Sequence, residues 1–173
     1  MSVVNAFVQE LETEAKTTRR VLERVPADKL MWKPHPKSMT LGQLALHVAG
    51  APGVTSSWCI PDVFELKGGG HGAPQPSSTA EILDAHDKGL TATKDALNKV
   101  GDAGMFTPWK ATAGPQTLFA MPKVAFVRAV VMNHWIHHRG QLSVYLRLLD
   151  VPVPSIYGPS ADENPFAAAR STS

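Results

Sequence analysis

His134 and His138 stand four residues apart in the run Asn133-His134-Trp135-Ile136-His137-His138-Arg139-Gly140. On a helix that spacing projects both imidazoles in one direction with Cβ atoms about 5–6 Å apart, so that both can reach one metal ion at about 2.0–2.1 Å. The pair lies on the apolar stripe of its helix, in step with Val127, Val130 or Val131, Gln141 or Leu142, Tyr145 and Leu149. It therefore points inward, where an imidazole without a partner is costly. Two core histidines hydrogen-bonded to backbone or to Gln141 satisfy the same pattern. A third histidine shifts the balance. His47 follows Leu44 by three residues, on the inward side of another helix. Three inward histidines from two helices match a site with three protein ligands and a fourth position left for water or substrate. Two other metal chemistries do not fit. A carboxylate-bridged di-iron centre needs Glu-x-x-His on two helices, and a zinc protease needs His-Glu-x-x-His; neither spacing occurs.

The remaining chemically capable residues carry less. His137 turns about a quarter-circle from the pair, toward the surface or a supporting position. Arg139 and Arg147 fall off the stripe and read as solvated helix charge. Gly140 costs about 1 kcal/mol relative to Ala in mid-helix, which marks close approach by another backbone, a second subunit included. His86 reads as a core or boundary histidine, and His35 and His71 as exposed loop residues. Cys59 has no base beside it in sequence and reads as an inert thiol. Glu14 abuts an apolar stripe and is placed to orient a ligand imidazole. Glu14, His137 and Tyr145 are the only general-base candidates, by helix spacing alone, and no catalytic residue is assigned.

Four helical segments must position these groups. Val4, Phe7, Leu11, Ala15, Thr18, Leu22 and Val25 give the first helix, Val3 to Val25, one buried stripe. Thr40 and Gln43 have capping-box spacing and open the second, with Leu41, Leu44, Val48 and Ala51 inward; Pro52 and Gly53 end or kink it. Trp58 and Phe64 keep the chain packed beyond. Gly68-Gly69-Gly70 begins a flexible loop. The third helix runs from Ser78 to about Val100, where Gly101 stops it. Residues 102–120 read as irregular, with a short extended pair, and the fourth helix runs from Pro122 almost to Val151. The expected fold is all-α: an antiparallel four-helix bundle over residues 1–165 with irregular connecting loops and a docked C-terminal segment, then a flexible tail at 166–173.

Composition bounds the function. A chain of 173 residues is one domain of ordinary size, and 43% hydrophobic residues argue against disorder. A net charge of +2 supplies no basic field for nucleic acid or anionic lipid. One cysteine excludes an internal disulfide and a cysteine zinc cage. The N-terminus lacks the apolar block of a signal peptide, and no apolar run approaches the roughly 20 residues a bilayer needs, so a cytoplasmic protein is expected.

The run from Asn133 to Arg147, together with Trp32-Lys33-Pro34, Ser38 to His47 and Pro152 to Gly158, resembles the signature of the DinB-like (YfiT-like) metal-dependent proteins. The matches keep the family's order over roughly residues 10–160, and His138-Arg139-Gly140-Gln141 is the most specific of them. The resemblance implies a four-helix bundle and a homodimer, with one divalent ion per chain, nickel or zinc, on His47, His134 and His138. Related bundles are thiol-dependent S-transferases or isomerases working with low-molecular-weight thiols, so the resemblance slightly favours thiol transfer, with a small-molecule substrate. A metal-dependent hydrolase and a non-catalytic metal-binding or stress-response module are the alternatives. Hydrolysis needs a nearby base, whereas thiol transfer needs a second cavity for the thiol's tail.

Overall fold

The computed structural model describes residues 2–67 and 74–167. His71 and the expected glycine loop at 68–70 lie outside the described residues, as do positions 168–173. The first helix, α1 (Val3–Leu22), buries the stripe its sequence lays out, and Glu14 and Thr18 are buried with it. Ser2 caps it by accepting from the Asn5 N–H. The Asp102 carboxylate accepts from Ser2 Oγ and the Val4 N–H, placing negative charge at the positive end of the helix dipole.

The second helix, α2 (Leu41–Ser57), begins at the expected capping box, in which Thr40 Oγ1 accepts from the Gln43 N–H and Gln43 Oε1 accepts from the Thr40 N–H. It does not end at Pro52. A proline there removes the N–H that would reach the Val48 carbonyl, and that carbonyl instead accepts from the Trp135 indole at 2.8 Å. With the freed acceptor satisfied, the helix runs on for five residues, to Ser57. Gly53 serves packing. A Cβ at Gly53 would stand 2.9 Å from the Gly89 Cα, and one at Gly89 would stand 2.9 Å from the Ala49 carbonyl oxygen, so α2 and α3 (Thr79–Met105) cross almost backbone to backbone. Gly101 breaks α3 as expected, at φ +67°.

The region read as irregular contains more regular structure than an all-α reading allows. Strand β1 (Val63–Glu65) pairs in parallel with β2 (Pro108–Ala113), and β2 pairs antiparallel with β3 (Gln116–Pro122), giving a three-stranded sheet in the order β1-β2-β3. Trp109 of β2 is buried, donates its indole N–H to the Trp58 carbonyl at 2.8 Å and packs on Phe126. Trp58 and Phe64 stack with ring centroids 4.7 Å apart, so the chain does stay packed past Pro52.

The last helical run is not uniform. A single α-turn, α4 (Lys123–Phe126), passes into a π-helical stretch at Val127–Asn133, and regular helix resumes as α5 (His134–Leu148). The wider turns end one residue before the first histidine of the pair. Beyond α5 the chain is irregular and docked: Val153, Pro154 and Ser155 are buried, while Asp162 and Glu163 accept from the Val153 and Ser155 N–H groups. The molecule is thus mostly helical, with a small sheet built from the two connections that flank α3. No helix among the described residues is long and apolar enough to cross a membrane.

Candidate metal centre

The capping box fixes where α2 starts and so where His47 falls, in its second turn. His134 opens α5, and His138 follows one turn later. The three side chains converge from these two helices. Each offers a nitrogen, and those atoms lie within 4.8 Å of one another. Ring centroids stand 5.2 Å apart for His47–His134 and 4.5 Å for both His47–His138 and His134–His138. All three residues are half-buried, and no other His, Cys, Asp or Glu among the described residues joins the group.

The proton arrangement favours a cation. Gln141, one turn beyond His138, places Oε1 at 2.7 Å from His138 Nδ1. An amide oxygen only accepts, so the ring proton sits on Nδ1 and the His138 Nε2 lone pair faces His134. His134 Nε2 lies 2.9 Å from it, and His134 Nδ1 is buried without a hydrogen-bond partner. Two nitrogens each about 2.0–2.1 Å from one ion stand about 3 Å apart, as this pair does. Burial pushes His47 down to about 4, and the neighbouring His138 and His134 add like-charge repulsion. Burial also lowers His134 and His138; His138 and His137 add to it at His134, whereas the Gln141 bond opposes it at His138. All three rings are therefore neutral at pH 7 and present lone pairs, a donor set that fits zinc, nickel or another borderline divalent ion.

The structure moves two expected residues. Arg139 is not solvated: it is 1% exposed, its guanidinium 2.6 Å from Glu14 Oε2 and within hydrogen-bond reach of Thr18 Oγ1. Glu14 is correspondingly unavailable to orient an imidazole. Its carboxylate is held by Arg139 and by the Tyr157 hydroxyl at 2.9 Å, and the Tyr157 ring lies over the guanidinium. The sequence signal was present in Glu14 and Thr18, one turn apart on a buried face, since a buried carboxylate requires a cation. Gly140 meets no backbone within the chain: among the described residues nothing lies within 4 Å of where its Cβ would be.

Other expectations hold. His137 is exposed and outside the cluster, and His35 is exposed. Arg147 is on the surface, paired with Asp162. His86 is buried, with Nδ1 on Asp87. Cys59 is buried, and burial raises its thiol to about 11, which keeps it protonated and inert. Tyr145 packs edge-on to Trp32 and donates to the Met39 carbonyl at 3.4 Å.

The family model described as DinB family matches residues 1–165. The chain belongs to the DinB family. A DinB-like protein from Bacillus cereus ATCC 10987 superposes with a TM-score of 0.69 at 27% identity, covering 90% of this chain and 98% of that one. The DinB-like protein YjoA of Bacillus subtilis gives a TM-score of 0.63 at 16% identity over 84% of this chain and 92% of its own, a likeness of fold. The uncharacterized protein YrdA of Bacillus subtilis (strain 168) is 27% identical over 157 residues, 91% of this chain and 89% of that protein.

Two cavities reach the histidines of this DinB chain from different sides of the cluster, with no lining residue in common. One, of about 660 Å³, reaches His47 and His134 and is otherwise lined mainly by apolar side chains of α2 and the π-helical stretch. The other, of about 490 Å³, reaches His138 and Gln141 and is lined by Lys37, Ser38, Met39, Val144 and Tyr145. Sequence periodicity gave no sign of this second cleft, because Lys37, Ser38 and Met39 of its wall come from the irregular segment before α2.

Proposed function

We propose that His47, His134 and His138 bind one divalent ion, zinc or nickel, and that the protein is a metal-dependent enzyme transferring a low-molecular-weight thiol to a small-molecule acceptor. The observation that carries this reading is that two cavities reach the three imidazoles, an apolar one at His47 and His134 and one of mixed polar and apolar lining at His138, which would give two reactants separate approaches to one point. An ion with an open position lowers the pKa of a thiol or water that reaches it, supplying a nucleophile at neutral pH. This chain's residues prepare the place: burial keeps the imidazoles neutral, Gln141 holds the His138 proton on Nδ1, and the absence of a carboxylate from the cluster among the described residues leaves the charge of an ion undiminished. Lys37, Ser38 and Gln141 suit the polar tail of a thiol. The thiol loses its proton, its sulfur bonds to the acceptor carbon, and the proton ends on the displaced group.

Hydrolysis has less support. Of the candidate bases, Glu14 is locked in an ion pair, Tyr145 is packed on Trp32, and His137 faces outward. A purely structural ion is disfavoured by the lack of a fourth ligand among the described residues. We further propose a homodimer, supported by the exposed row Gly140, Val144 and Leu148 on α5.

A thermal-shift series with cysteine, glutathione and coenzyme A, each against its S-methyl analogue, tests the thiol reading on metal-loaded and metal-free protein. At one hundred times its dissociation constant a bound thiol contributes about 2.7 kcal/mol, or roughly 5–10 °C for a chain of this size. At least one thiol should stabilise the loaded form alone, and its S-methyl analogue should not. Equal shifts with and without metal, or none with any thiol, would contradict the reading.

A further inference from the structure

We infer that the 660 Å³ cavity is a binding site for an uncharged, apolar small molecule, aromatic or long-chain aliphatic, whose single polar end reaches His47 and His134. Its wall is built from Gly50, Ala51 and Val54 on α2, Ala85 on α3, and Ala129 and Val130 of the π-helical stretch. Among the described residues no charged side chain lines it, so an ionic group lodged in the body of the cavity, away from the histidines, has nothing to replace its lost hydration. Thr55, a polar residue in the wall, donates its hydroxyl to the Ala51 carbonyl at 2.8 Å and is already satisfied. The histidines thus gather the polar contacts at one end, and a ligand with one polar end and an apolar body is the shape that fits. The volume falls within the usual range for small-molecule pockets, about 300–1,000 Å³.

The cavity depends on two local features of the sequence. Gly50 leaves space that any other residue would fill, because nothing lies within 4 Å of the position its Cβ would take. The π-helical turns bring Ala129 and Val130 to the wall while Val127, Val131 and Met132 stay in the core. Pro52 keeps α2 continuous past this point, so Val54 and Trp58 extend the apolar wall beyond His47. That the bound molecule is the acceptor of the transfer rests on the reading above; that it binds here does not.

The test uses N-phenyl-1-naphthylamine, an uncharged apolar fluorophore, and 8-anilinonaphthalene-1-sulfonate, the same skeleton carrying a sulfonate. Both are titrated into the purified protein and into Gly50→Leu, with metal content and circular dichroism measured in parallel. The uncharged probe should bind one to one with a fluorescence increase, the sulfonate at least tenfold more weakly. Gly50→Leu should weaken the uncharged probe at least tenfold with helicity and metal content unchanged, since the added side chain enters open space and leucine is the better helix former. Ala129→Phe, on the facing wall, should do the same. No binding, equal affinity for the two probes, or binding that survives both substitutions would overturn the assignment. Probe binding by a parent protein that takes up no divalent ion when zinc or nickel is supplied would retain the cavity and remove the metal-centred reading.

Discussion

The Trp135 indole Nε1 donates to the Val48 carbonyl oxygen at 2.8 Å, a bond between the residue after His134 and the residue after His47. Pro52 makes it available by withholding the N–H that would ordinarily occupy that carbonyl. One hydrogen bond therefore joins the helices that carry the histidines and sets their register. Trp135→Phe keeps the ring and removes the donor, leaving a buried acceptor that no helical N–H can satisfy. The expected cost is about 1–3 kcal/mol in urea unfolding of metal-free protein, with metal affinity lowered about tenfold or more. Stability within about 0.5 kcal/mol of the parent, with unchanged affinity, would show that the register is set elsewhere.

Arg139 and Glu14 form a buried ion pair, with Tyr157 donating to the same carboxylate. Arg139→Met leaves a desolvated carboxylate and should cost about 3–5 kcal/mol, whereas Arg139→Met combined with Glu14→Met should cost clearly less than the two singles added together. Additive losses in a chemical-denaturation cycle would mean that the two side chains act independently.

The docked C-terminal segment should open in acid. The Arg147 hydrogen bond, and after it the Val153 N–H, hold Asp162 below the ordinary carboxylate range, and Arg20 does the same for Glu163. A carboxylate depressed on folding contributes stability that is complete above its unfolded value, about 3.9 for Asp, and lost as pH falls through the lower folded value. Limited proteolysis with pepsin between pH 5 and 2 should show cleavage after Val151 appearing toward the acid end, before the helices unfold by circular dichroism. Asp162→Asn should expose the same sites to a neutral protease at pH 7. Equal protection in the variant and the parent would rule out Asp162 as the clasp.

Much of the framework was legible in the sequence because its signals are local. The stripe from Val4 to Leu22, the Thr40–Gln43 capping box and the Gly101 break each need only neighbours within a few residues, and each is present. The convergence of His47 with His134 and His138 was legible too, since helical periodicity gives an inward direction. What escaped depends on distant partners. Arg139 reads as surface charge on its own helix, because its carboxylate lies 125 positions earlier and its aromatic cover 18 positions later. The parallel pairing of β1 with β2 joins a three-residue strand to one more than forty positions away, and no short run encodes that. The π-helical stretch adds backbone to a helix without changing residue types, so the apolar pattern from Val127 to Val131 looks continuous.

The most direct measurement is elemental analysis of purified protein beside His47→Ala, His134→Ala, His138→Ala and His137→Ala. The parent and His137→Ala should carry close to one divalent ion per chain, and each of the other three should lose it, since His137 alone stands outside the cluster. Loss in His137→Ala equal to that in the other three, or a parent protein that binds no divalent ion when zinc or nickel is supplied, would contradict a metal centre built on these three imidazoles.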